Sequence, residues 1–142
     1  MKEAFYYKNL SQNINKLQCL LCPHSCVILE NEVGKCLSRK NVSGKLFALN
    51  YGNISSIAVD PIEKKPLYHF YPSKQILSLG SWGCNFKCGF CQNYQISQYG
   101  TDIPITQKIL PQKIVSMAKK IKNNIGVAYT YNEPLINIEF LI

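Results

Sequence analysis

Three cysteines, Cys84, Cys88 and Cys91, sit in the stretch Gly83-Cys84-Asn85-Phe86-Lys87-Cys88-Gly89-Phe90-Cys91. Their x3 and x2 spacing, with no fourth thiol nearby, suits a [4Fe–4S] cluster that leaves one iron open. A cluster held by protein alone takes four thiolates, so a three-thiolate site leaves one coordination position for a small molecule. Gly83 and Gly89 relax the backbone so that three sulfurs can converge. Half of a zinc site, which normally takes four ligands, and buried structural cysteines are the competing readings. An open iron would make the chain an enzyme rather than a plain electron carrier.

A second group, Cys19, Cys22, Cys26 and Cys36, is spaced x2, x3 and x9. Four thiols in so short a span can close a tetrahedral zinc site or hold an auxiliary iron–sulfur cluster, and spacing does not choose between them. His24, between two of these cysteines, reads equally as a ligand, a neighbour of the ligands or a surface residue. His69, Tyr129 and Tyr131 read as packing residues. No side chain is assigned as a catalytic acid, base or nucleophile.

These loops need elements to position them. Residues 75–80 read as a short strand, 111–122 as a helix opened by Pro111 with Ile114, Val115, Ala118 and Ile121 on one face, and 126–131 as a second strand. Together they form a βαβ unit, which implies parallel strands. Parallel strands align their C-terminal ends, where α/β folds place their sites. The Cys84 loop follows the first strand and Asn132-Glu133 the second, so the two meet on one rim. Earlier in the chain, residues 46–51 and 54–59 read as a β-hairpin turning at Gly52-Asn53, and Ser43-Gly44 as a further turn. Two prolines interrupt the stretch from Asp60 to Phe70. Residues 1–18 read as a polar lead-in with Ile14 and Leu17 at helical spacing. The expected organisation is a four-cysteine module with a hairpin over 1–74, followed by an α/β unit over 75–142.

Several stretches together resemble a known family. Cys84-x3-Cys88-x-Phe90-Cys91 is similar to the signature of radical S-adenosylmethionine (SAM) enzymes. The stretches 19–26 (Cys-Leu-Leu-Cys-Pro-His-Ser-Cys), 60–67 (Asp-Pro-Ile-Glu-Lys-Lys-Pro-Leu), Cys91-Gln92-Asn93 and 128–134 (Ala-Tyr-Thr-Tyr-Asn-Glu-Pro) resemble its pyruvate formate-lyase activating enzyme-like branch, specifically the AmmeMemoRadiSam system radical SAM enzyme. The resemblance implies the N-terminal part of a partial (β/α) barrel preceded by the cysteine-rich module. It implies that Cys84, Cys88 and Cys91 hold the [4Fe–4S] cluster and that the amino and carboxylate groups of SAM chelate the open iron. One electron then breaks a carbon–sulfur bond of the sulfonium, and the resulting 5′-deoxyadenosyl radical abstracts a hydrogen atom. Phe90 would pack near the adenine. Glu133 would accept hydrogen bonds from the SAM ammonium, with Asn132 as helper, although Tyr131-Asn132 stands where many relatives carry two glycines. Activation of a glycyl-radical enzyme is one reaction suggested by this analogy. The implied partners are SAM, a low-potential electron donor such as flavodoxin or ferredoxin, and a protein substrate in the activase case.

Bulk properties set bounds. At 142 residues the chain is shorter than the roughly 250 residues of a complete (β/α)8 barrel, so a truncated barrel is expected. The 46% apolar content permits a core. No apolar run is long enough to span a bilayer, and the first residues lack a secretory signal's apolar core. A cytoplasmic setting follows as the default, with thiols reduced and free to bind metal. The formal charge is +8, but the lysines are scattered, which disfavours a nucleic-acid stripe. The alternative function is a non-catalytic zinc or iron–sulfur module that contacts RNA.

Overall fold

Leu17, Cys19, Ile28, Leu46 and Ala48 occupy buried strand positions, and the alternation within Leu17–Cys19 and Lys45–Ala48 has the two-residue period of β-structure. The computed structural model describes residues 1–10, 16–100 and 107–142. The expected helical pairing of Ile14 with Leu17 therefore lies partly outside the described residues. Six strands come first: β1 (Lys2–Glu3), β2 (Tyr7–Asn9), β3 (Leu17–Cys19), β4 (Val27–Ile28), β5 (Arg39–Val42) and β6 (Lys45–Ala48). They form two antiparallel three-stranded sheets, in the orders β1-β6-β5 and β2-β3-β4. Ala4, Leu17, Cys19, Ile28 and Leu46 make their shared core, with Tyr7, Leu21 and Cys26 packed against it.

The hairpin forms elsewhere than expected. β5 pairs with β6 across Ser43-Gly44, from Arg39↔Ala48 to Val42↔Lys45. Both turn residues have positive φ, 51° and 73°, the geometry whose twist matches the flanking strands. The strands expected to meet across Gly52-Asn53 part company instead. β7 (Asn53–Ile54) pairs with β10 (Gln107–Lys108), and β8 (Ser56–Pro61) runs antiparallel along β9 (Gln75–Gly80), from Ser56↔Gly80 to Pro61↔Gln75. This register spans all of β9, where Leu77 and Leu79 are buried. Pro61 fits because β8 is an edge strand.

The chain continues through α1 (Tyr94–Ser97) and α2 (Pro111–Lys120) to β11 (Asn124–Tyr129) and α3 (Ile138–Leu141), which follows a 3-10 turn at Pro134–Asn137. Pro111 opens α2 after extended Leu110. Ile114, Met117, Ala118 and Ile121 join Ile54, Leu77, Leu79, Val127 and Phe140 in a second core. Val115, expected on that face, is instead half-exposed. β11 lies parallel to β9 through Val127↔Leu77 to Tyr129↔Leu79.

The expected partial (β/α) barrel is nevertheless not the architecture. β9 has parallel β11 on one side and antiparallel β8 on the other, giving an open mixed sheet of order β11-β9-β8. β8 takes the edge that a barrel would give to another parallel strand. The described residues form four small sheets with few helices and no closed barrel. The β8–β9 ladder also joins residues on either side of position 75. No helix among the described residues is long and apolar enough to cross a membrane.

Candidate functional site

The Cys84 loop leaves the end of β9 through a rigid neck. Ser81 and Trp82 are buried. Gly83 then turns at φ +78°, and a Cβ there would collide with the carbonyl oxygen of Cys36. Its N–H donates to Ile96 O at 2.8 Å. The Asn132 amide spans the neck. Oδ1 accepts from Ser81 N–H (3.2 Å), and Nδ2 donates to Gly83 O (2.7 Å) and Ser81 Oγ (3.1 Å). Ser55 Oγ donates to Ser81 O (2.6 Å), and buried Asn50 directs Nδ2 to Trp82 O (3.4 Å). The sequence placed Asn132 beside this loop, but Asn50, Ser55 and Trp82 carried no motif that would have revealed them.

Beyond Gly83 the loop opens to solvent. Cys84 and Cys91 are half-buried and Cys88 is exposed. Phe86 N–H donates to Cys84 Sγ at 3.4 Å, and Cys91 Sγ lies 3.4 Å from Ser97 Oγ. Phe90 is 92% exposed, and a Cβ added at Gly89 would meet no heavy atom within 4 Å. Among the described residues, no three His, Cys, Asp or Glu side chains are gathered closely enough to hold a metal ion. The donor set still fits an iron–sulfur cluster. Three thiols share one loop with open space beside it, and N–H and O–H donors reach two of the sulfurs, as cluster ligands use.

Glu133 follows Asn132, but its carboxylate accepts from Leu135 N–H (3.0 Å) and caps the turn at Pro134–Asn137. Just before them, Tyr131 has φ +72°. It packs so closely over Gly80 that a Cβ there would stand 2.9 Å from Tyr131 Cδ2. The Tyr131 hydroxyl donates to Asp60 at 3.1 Å. Asp60 also receives Lys64 Nζ (2.9 Å) and Lys65 Nζ (2.8 Å). Burial alone would raise this carboxyl, but hydrogen bonds from Lys65, Ser78 and Lys64 outweigh it and hold Asp60 well below the usual carboxylate range. Burial, reinforced by the Asp60 charge, raises the Tyr131 phenol. The run from Asp60 to Pro66, whose role was not legible in the sequence, thus braces the backbone that presents Asn132. An acid followed by Lys at i+4 was its one local signal.

The loop of the first cysteine group meets the neck of the second, where Gly83 lies against Cys36 O. Cys19 N–H donates to Cys26 O (2.9 Å) and Ser25 N–H to Cys22 O (3.1 Å). Cys19 and Cys36 are buried, Cys22 and Cys26 half-buried. All four line one small cavity of about 10 Å³, together with Leu21, His24, Ile28, Gly34, Arg39 and Ile136. Burial pushes the Cys19 thiol up. Cys36 Sγ lies 3.3 Å from the buried Ser38 hydroxyl. Arg39, itself 1% exposed, sends Nη2 to Glu139 (2.7 Å) and to Ile136 O (2.9 Å). Its Nε and Nη1 have no hydrogen-bond partner among the described residues.

His24 joins the two loops, since its Nε2 lies 2.8 Å from Asn85 O. A carbonyl oxygen only accepts, so Nε2 carries the proton. Beside this bond lies a crevice of about 540 Å³, lined by Pro23, His24, Lys35, Asn85, Phe86 and Lys87.

No family model and no solved structure matches the chain. Uncharacterized protein MJ0808 of Methanocaldococcus jannaschii is 46% identical over 141 residues, covering 99% of this chain and 41% of the relative. Uncharacterized protein MJ0674 of the same organism is 35% identical over 115 residues, covering 80% of this chain and 29% of the relative. The chain thus spans about two fifths, or less, of the length of the curated relatives it matches.

Proposed function

We propose that this chain carries the cluster-binding loop of a cytoplasmic radical SAM enzyme. The observation that carries the reading is the Cys84 loop itself: three thiols on an open segment whose neck is pinned by the Asn132 amide at the end of a neighbouring parallel strand. Cys84, Cys88 and Cys91 would hold a [4Fe–4S] cluster. When bound, such a cluster, reduced by a flavodoxin- or ferredoxin-class donor, supplies the electron that cleaves SAM to methionine and a 5′-deoxyadenosyl radical. Hydrogen abstraction from the substrate, giving 5′-deoxyadenosine, would be the chemistry so supplied.

The chain's own residues act by holding and orienting. Asn132 fixes where the loop departs, because all three of its hydrogen bonds go to Ser81 and Gly83. Asp60, Lys65 and Tyr131 hold Asn132 from behind. Exposed Phe90 offers a face on which an adenine can stack. Glu133 is half-buried at the strand end and can exchange its Leu135 contact for a SAM ammonium. Activation of a glycyl-radical protein is one reaction that the family analogy suggests.

The test is anaerobic reconstitution of the chain with iron and sulfide, followed by electron paramagnetic resonance of the reduced protein with and without SAM. The reading expects four irons held through Cys84, Cys88 and Cys91 and a spectrum that changes when SAM is added. A chain that binds no iron at these thiols, or binds zinc there alone, overturns it.

A further inference from the structure

We propose that Cys19, Cys22, Cys26 and Cys36 form a second, separate metal centre that takes one zinc-class divalent ion as a four-thiolate complex, with Arg39 as its hydrogen-bonding partner. The proposal does not depend on chemistry at the Cys84 loop.

Three observations carry it. All four cysteines line the same small cavity, of about 10 Å³, although their sulfurs must draw closer together to grip an ion. That is room for roughly one water-sized body, the scale of a single ion. Sulfur donors in fours with tetrahedral closure are the zinc pattern.

The second observation is Arg39. A guanidinium that is 1% exposed should have its donors satisfied. Nη2 donates to Ile136 O and forms the ion pair with Glu139, while Nε and Nη1 find no partner among the described residues. Arg39 lines the cysteine cavity. Four thiolates around a divalent ion carry a net charge of −2, and their sulfurs accept hydrogen bonds. Such a centre would take up the two unused N–H groups, whereas four neutral thiols, as weak acceptors, would leave those two buried donors poorly satisfied.

The third observation is Ser38, whose buried hydroxyl lies 3.3 Å from Cys36 Sγ. Against a thiolate, that hydroxyl donates. Contacts of this kind from neighbouring residues orient and tune the sulfurs of metal sites. Arg39 extends the same centre to α3 through Glu139, so filling the cavity should firm the attachment of the last helix.

The experiment uses the full chain with Cys84, Cys88 and Cys91 changed to serine, so that only the first group can bind. Elemental analysis should find one zinc per chain, and Co2+ in its place should give thiolate charge-transfer bands with tetrahedral ligand-field absorption. Cys36→Ser should abolish both. The double variant Arg39→Met with Glu139→Leu removes the buried pair together, so it keeps its packing. It should release zinc to a competing chelator about 10- to 100-fold more readily. Absence of zinc, an octahedral cobalt spectrum, or iron with sulfide bound at these thiols would each overturn the site. Unchanged zinc affinity in the double variant would overturn the role given to Arg39.

Discussion

Arg39 and Glu139 meet at 2.7 Å with side chains 1% and 0% exposed, a buried ion pair that fastens the last helix to β5, the first strand of the β5–β6 hairpin. Glu139 also accepts from Phe5 N–H at 3.0 Å, so one carboxylate ties together the beginning and end of the described chain. Arg39→Met or Glu139→Leu alone should cost about 3–5 kcal/mol, because each strands a buried charge. The double variant should recover most of that loss, and urea denaturation of all three variants measures it. Additive losses would mean that the pair does not act as a unit.

The Asp60 cluster sets an acid-side prediction. Its carboxyl titrates lower in the folded chain than in the unfolded one, so the folded state holds fewer protons. The stability this provides is complete above about pH 4, the ordinary Asp range, and drains as pH falls toward the folded value. Asp60→Asn should be less stable at pH 7 and lose less stability between pH 4 and pH 2 than the parent. Melting temperatures across that range decide it. Equal slopes for both proteins would remove Asp60 as the cause.

Asn132→Ala leaves Ser81 N–H and Gly83 O without their partners. A cost of about 1–3 kcal/mol is expected, concentrated in the neck of the cysteine loop. Hydrogen exchange should quicken across residues 81–91 and stay unchanged in β5 and β6.

Gly83→Ala should damage both cysteine loops. The left-handed backbone costs a side chain about 1–2 kcal/mol, and the added Cβ runs into Cys36 O. Metal content at each group, read separately, should fall in this variant. Loss at the Cys84 loop alone would show that the two loops give way independently.

Phe90→Ala separates folding from binding. At 92% exposure the ring supports little, and stability should change by less than about 0.5 kcal/mol. On the reading proposed above, SAM affinity of the reconstituted chain should drop. An unchanged affinity would remove Phe90 from the adenine site.

Local signals and distant ones fared differently. The strand at Gln75–Gly80, the helix opened by Pro111 and the strand reaching Tyr129 were legible, because periodicity and a proline at a first turn are written within each segment. Two turn signals, Ser43-Gly44 and Gly52-Asn53, competed for one hairpin. The outcome depended on β8 finding a longer partner in β9, which no local pattern records. The same pairing is why an open mixed sheet formed where the βαβ unit and the family resemblance had implied a partial barrel. In the site, the cysteines announced themselves by type and spacing, and Asn132 by its place after the second strand and by the family resemblance. Arg39 with Glu139, and Asp60 with Tyr131, meet across long stretches of chain. Each looks like an ordinary surface charge until its partner arrives, so only the fold reveals it.

The volume beside Cys19 and Cys36 has a bearing on how the protein would be supplied in a cell. On the two-centre proposal, a pocket of atomic size would admit a lone ion and would have to widen for anything bulkier. The exposed loop at Cys88 has no such filter. If both proposals hold, delivered clusters and free ions would each have their own landing place among the described residues.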